Sequence, residues 1–136
     1  MSIDKTISSM MNATPFPILQ AMRKTVVDGS NTSGFQRTTL IATKGEIRTD
    51  SGIVGIDLIS LEEDSASNLG NVNSEKGEIV LYTLDRLGTP LVEVATAPDI
   101  KSPQHAKETA RLIGRLLRDT RRVSLCVIRR DTRVGT

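Results

Sequence analysis

Near the N-terminus the apolar residues recur at helical spacing. Ile3, Ile7, Met10 and Met11 fall at i, i+4, i+7 and i+8 and predict a short helix over 2–12, capped by Ser2 and stopped by Pro15 and Pro17. From residue 18 the pattern changes to β-branched and aliphatic runs divided by Gly, Asn and Asp. It predicts strands over 18–27, 37–43, 46–49, 53–63, 78–84 and 90–96. Lys44-Gly45 and Asp50-Ser51-Gly52 read as the turns of two successive hairpins. Val54, Ile56 and Leu58 share one face of their strand, then Ile59 and Leu61 the other; the phase change predicts a bulge or a strand covered on both sides. The polar stretch 64–77 reads as a mobile loop. Ser102-Pro103 opens the main helix, with Ala106, Ala110, Ile113 and Leu117, flanked by Leu112 and Leu116, as its buried stripe. A final strand is expected over 123–128. The order predicts an α+β fold: a mainly antiparallel sheet with a short N-terminal helix and a longer helix in the C-terminal half.

Composition sharpens this picture in three places. With 136 residues the chain is the size of one domain, and with 2% aromatics its core must be aliphatic. Net charge is only +2, but 111–133 holds eight arginines against Asp119 and Asp131, so the basic charge is concentrated there and suggests a polyanionic partner. The lone Cys126 excludes an internal disulfide, and no Cys/His spacing suits zinc. No apolar run has membrane-spanning length and no secretory pattern opens the chain, which points to a cytoplasmic protein. His105, in the first turn of the main helix, is expected to be exposed and without a catalytic partner.

Three constellations could carry chemistry. Glu62, Glu63 and Asp64 end one strand and Glu93 interrupts another, Leu91-Val-Glu-Val-Ala95. A carboxylate in an aliphatic strand needs a cation, donors or water, and Mg²⁺ takes one or two carboxylates plus waters and phosphates. Alternation places Glu62 and Asp64 on one face and Glu63 on the other. The bland alternative is a strand end in solvent, with Glu93 paired to an arginine. Next, Asp28–Gly34 has the glycine spacing of a phosphate loop, but Phe35 stands where the lysine belongs; it is an anion cradle helped by Arg37, or an ordinary loop. Last, Arg111, Arg115, Arg118 and Arg122 recur at i, i+4, i+7 and i+11. That stripe could meet a phosphate backbone, or be a solvated face whose C-terminal cations suit the helix dipole.

The stretches DGSNTSGFQRT (28–38), LEEDSA (61–66) and DRLGTPLVEVATAPDIKSP (85–103) occur in this order. Together they resemble the E-type family of archaeal glutamyl-tRNA(Gln) amidotransferase subunits, relatives of the bacterial and organellar B-type subunits. The family pattern N-R-x-G-x-P-L-[IV]-E-[IV]-x-T-x-P-D-I is matched except for Asp85 in place of Asn. The resemblance implies a ligase that uses ATP and Mg²⁺ to phosphorylate the glutamate of glutamyl-tRNA(Gln). Ammonia from a separate asparaginase-like, D-type subunit then displaces the phosphate. It implies that Glu63 and Glu93 handle metal and ammonia, with Glu62 a further metal ligand, and that Ser33, Gln36 and Arg37 lie beside the nucleotide. The chain lacks the family's G-L-E-I-H-x-Q-L strand and its tRNA-binding tail, and Arg130, Arg133 and Gly135 replace Gln, Asn and Ser in I-R-Q-D-x-N-V-S. The expectation is therefore a central fragment of a larger catalytic cradle domain, inactive when alone. A non-catalytic RNA-binding or assembly module, or an inactive remnant, stays open beside it.

Overall fold

The computed structural model describes residues 3–32 and 35–123. Helix α1 (Ile3–Met10) buries Ile7, and Met11 just beyond it, as the helical spacing requires. Its end is set by Asn12, in the left-handed region at φ 49°, with Ala13 N–H donating to Ser8 O at 2.8 Å. The prolines play another part, since Pro15 already lies in β1 (Thr14–Pro15) and pairs with Ala42. Instead of a strand over 18–27 there is only β2 (Ala21–Arg23), on the edge of the sheet. Ile18 and Val27 are 80% and 95% exposed, so they gain no burial that would extend it.

Two long strands form the centre. β3 (Arg37–Thr49) and β4 (Gly52–Glu63) make one antiparallel hairpin about Asp50-Ser51. The turn expected at Lys44-Gly45 does not exist: Lys44 takes φ 54° inside a continuous strand, and Gly45 pairs with Ile56. Two further strands, β5 (Ser67–Ser74) and β6 (Gly77–Thr83), precede β7 (Pro90–Thr96) in the chain. β7 adds to the other edge of β4, giving the order β1-β3-β4-β7 with β2 also on β3. The phase change in β4 is a bulge, a register shift between Ile56 and Leu58 against β7. It lets Val54, Ile56 and Ile59 all enter the core with Ile41, Ala42, Ile47 and Leu117.

The polar stretch expected as a loop is instead the strand β5, paired with β6 in a separate two-stranded sheet. Both its faces are largely exposed, so no alternation of apolar residues marks it in the sequence. Helix α2 (Pro103–Asp119) starts at Ser102, whose hydroxyl accepts from His105 N–H, with Pro103 at its first position. Its packed side carries His105, Thr109, Gly114 and Leu117, with Leu112, Ile113 and Leu116 against the core; Ala106 is exposed. His105, expected in solvent, is 5% exposed, and its Nε2 has no hydrogen-bond partner among the described residues. The predicted strand 123–128 lies, beyond Val123, outside the described residues.

Candidate functional site

Strand alternation and the β4 bulge decide which acidic residues meet. After the bulge, Ile59 and Leu61 face the core, with Val94 and Val92 opposite them on β7. Ser60 and Glu62 therefore project from the other face. Glu93 is the register partner of Ser60, and Thr38 of Glu62. Four polar side chains from three adjacent strands thus share one patch. Ser60 Oγ donates to Glu93 Oε2 at 3.2 Å, and Thr38 Oγ1 donates to Glu62 Oε1 at 3.1 Å. Lys24, just past β2, completes the patch: its ammonium lies 2.5 Å from Glu62 Oε1 and 3.4 Å from Gln36 Oε1. Glu62 is only 3% exposed, so Lys24 is the cation that makes its burial tolerable.

The expected convergence of Glu63 with Glu93 does not occur. Glu63 lies one residue on from Glu62, opposite Pro90, and alternation turns it to the other side of the sheet. There Arg37 grips it with two hydrogen bonds, Nε to Oε2 at 3.0 Å and a second nitrogen to Oε1. The three-carboxylate metal set of Glu62, Glu63 and Glu93 is not assembled, and among the described residues no group of three or more His, Cys, Asp or Glu side chains gathers as metal ligands. Asp64 is committed elsewhere: its carboxylate accepts from Arg86 Nε at 2.7 Å and its backbone fastens Gly88 and Thr89. Of the expected nucleotide residues, Ser33 lies outside the described residues. Gln36 joins the Lys24 patch, whereas Arg37 borders a cavity of about 300 Å³ that Glu62 and Glu63 both line, with Thr39, Leu61 and Pro90. Arg111, Arg115 and Arg118 are exposed on α2, but the helix is capped at Thr120 and Arg121 turns left-handed at φ 55°, so Arg122 falls off the stripe. Lys24, Thr38 and Ser60 escape a reading of the sequence; the alternation Leu58-Ser60-Glu62 is the signal for Ser60, and Lys24 has none.

Charge follows geometry. Partial burial, then the neighbouring Glu62 carboxyl, raises the Glu93 pKa above glutamate's ordinary 4.5, against the pull of Lys24 and Ser60. On the other side, the hydrogen-bonded Arg37 guanidinium lowers the Glu63 pKa, and Glu63 raises that of Arg37. The signs for stability are opposite. Glu93 contributes stability that is complete below the ordinary value and lost as pH rises through its raised pKa. Glu63 contributes above the ordinary value and loses it as pH falls through its depressed pKa. In metal-free buffer, Glu93→Gln should therefore flatten the fall in melting temperature above pH ~4.5, and Glu63→Gln the fall below it. A Glu93→Gln melting profile parallel to that of the parent chain would contradict the assignment.

The sequence matches the GatB/GatE catalytic domain over residues 2–134. The chain belongs to this family. It is 48% identical to a protein of Methanosarcina acetivorans named as the E subunit of glutamyl-tRNA(Gln) amidotransferase, over 99% of the chain and 21% of that relative. The protein of the same name from Methanocaldococcus jannaschii is 49% identical over 95% of the chain and 20% of its own length. Its counterpart from Aeropyrum pernix is 53% identical over 86% and 18% respectively. The chain thus spans about a fifth of the length of the relatives it matches. As a member of this family it has the α+β, mainly antiparallel architecture described above. No helix among the described residues is long and apolar enough to cross a membrane.

Proposed function

We propose that the Glu62–Glu93 patch is the acidic centre of a glutamyl-tRNA(Gln) amidotransferase, contributed by this chain as one module of a larger catalytic domain in the cytoplasm. The reaction is ATP-dependent phosphorylation of tRNA-bound glutamate at its side-chain carboxyl, followed by displacement of phosphate by ammonia. The ammonia would come from a separate asparaginase-like, D-type subunit. The observation that carries this reading is the adjacency of two carboxyl groups on one sheet face, with hydroxyl donors fixing each.

The patch fits the protein's share of a Mg²⁺ shell, which is one or two carboxylates with the remaining positions left to water and phosphate. The raised pKa of Glu93 is the electrostatic counterpart, since two crowded carboxyls call for more positive charge than Lys24 alone supplies. Glu62 and Glu93 are the residues that would hold Mg²⁺, which when bound supplies neutralisation of phosphate charge. The chain's own residues do the positioning. Ser60 orients Glu93, Thr38 and Lys24 hold Glu62, and Gln36 restrains Lys24. Arg37 is half exposed at the mouth of its cavity and offers a guanidinium to a triphosphate, its charge shared with Glu63.

The test is calorimetric titration of the chain with Mg²⁺ and ATP. Mg²⁺-dependent nucleotide binding is expected, and Glu93→Gln should weaken it tenfold or more without lowering the melting temperature. Absence of Mg²⁺-dependent binding in the parent chain would remove the reading. So would a Glu93→Gln chain that melts early yet keeps its metal affinity.

A further inference from the structure

The face of α2 opposite its packed side carries Lys107, Arg111, Arg115 and Arg118, spaced i, i+4, i+8 and i+11 and all exposed. At 1.5 Å per residue they run along about 16 Å of helix. Among the described residues Lys107, Arg111 and Arg118 form no ion pair, and Arg115 only a long one, 3.7 Å to Asp119. The helix dipole accounts for little of this. Only Arg118 lies in the last turn, where a cation is favoured, and Lys107 sits in the second turn from the N-terminus. Stacked like charges at this spacing destabilise an isolated helix. Beside the helix, Arg48 at the end of β3 lines a shallow groove of about 360 Å³ with Arg111 and Arg115. The acidic residues of that groove are Asp50 and Glu108, and Glu108 is occupied by Ser51 and by Gln104.

We propose that this ridge, Lys107, Arg111, Arg115 and Arg118 with Arg48 beside it, is a docking surface for an RNA phosphate backbone. Guanidinium forks match phosphate oxygens, and the ridge gives up few existing contacts when a polyanion arrives: its ion pairs among the described residues are two long ones, Arg115 to Asp119 at 3.7 Å and Arg48 to Glu46 at 3.8 Å. The ridge has no aromatic residue to stack on bases, so it reads backbone rather than sequence. It also has no apolar wedge of the kind an interfacial membrane helix inserts. That the RNA is tRNA rests on the proposed amidotransferase function; the ridge itself does not.

The experiment is fluorescence anisotropy of a labelled tRNA(Gln) transcript titrated with the chain from 50 to 200 mM salt. Changing all four helix residues to Gln should weaken binding at least tenfold at 50 mM salt and reduce the slope of log K against log salt by about 3. Changing the three arginines to Lys should preserve the slope. A parent chain that leaves the transcript free at 50 mM salt, or a Gln variant with unchanged affinity and slope, overturns the proposal. So does tighter binding to phosphatidylserine vesicles than to RNA, lost in the same variant. Mg²⁺ titration of each variant separates the two readings. Ridge variants that bind Mg²⁺ like the parent but have lost RNA support the ridge, whether or not Glu93→Gln alters metal binding.

Discussion

Lys24→Met should lose about 2–3 kcal/mol of stability in metal-free buffer, below the ~3–5 kcal/mol seen when a fully buried ion pair is broken. The reduction follows from exposure: the Glu62 side chain is 2% accessible but that of Lys24 is 41%, so water already shares the ammonium. What remains after the substitution is a buried carboxylate with the Thr38 hydroxyl as donor and Glu93 beside it. Methionine keeps the length of the side chain, so the loss reports charge rather than packing. Glu62→Gln in the same background should recover part of it, and denaturant unfolding of the four-member cycle measures the coupling. Mg²⁺ adds a sharper expectation. If a divalent ion belongs between Glu62 and Glu93, Lys24 competes with it, and Lys24→Met should bind Mg²⁺ more tightly than the parent chain. At ten times the dissociation constant, the bound ion would return about 1.4 kcal/mol. An equal loss of stability with and without saturating Mg²⁺ would place the ion elsewhere.

The acidic residues were legible in the sequence, but their pairing was not. Alternation correctly separates Glu62 from Glu63, because side chains along one strand change face at every residue. Which of the two meets Glu93 depends on the register of β4 against β7, and that register shifts by one at the bulge near Asp57. Nothing local to LEEDSA or PLVEVAT encodes the shift. The family resemblance favoured Glu63; the ladder favours Glu62. Lys24 was invisible for a different reason. It lies in a stretch of apolar and basic residues with no motif, and its meaning comes from a contact 38 positions away.

The elements that bury a face were the most readable. α2, with its Ser cap and initial Pro, and the strands that feed the core follow from spacing alone. Elements without a buried face were misread in both directions. β5 reads as a loop because Asn and Ser line it, although its backbone is paired with β6 along its length apart from one register shift at Leu69. Residues 18–27 read as a strand because they are aliphatic, although most of them find no partner. His105 shows the same limit on α2. A polar residue in a first turn is expected in water, yet the helix rotates it onto the packed side with Thr109.

Gly45→Ala should destabilise the chain by about 3 kcal/mol, the upper end of the usual range for overpacking. A Cβ built at this position lies 2.6 Å from Met11 O, 2.9 Å from Ala13 Cβ and 3.2 Å from Ile56 Cβ. The nearest obstacle is backbone and cannot swing aside as a side-chain tip could. That same carbonyl accepts Glu46 N–H at 2.9 Å, so moving it breaks the bond that clips the end of α1 to β3. Ile7 and Met11, both buried to within 1% of completely, would lift with it. This also explains why the Lys44-Gly45 pair is not a turn: the glycine is there for close approach across β3, while Lys44 absorbs the backbone irregularity at φ 54°. Thermal unfolding should therefore show a large fall for Gly45→Ala. Gly77→Ala makes a useful contrast. At φ 110° its penalty is backbone strain with nothing within 4 Å of the new methyl, and it is confined to the β5–β6 turn. Mg²⁺ binding should survive in Gly77→Ala. In Gly45→Ala it should fail only as the fold itself fails, because the clash lies under the core face and the carboxyl pair projects from the other.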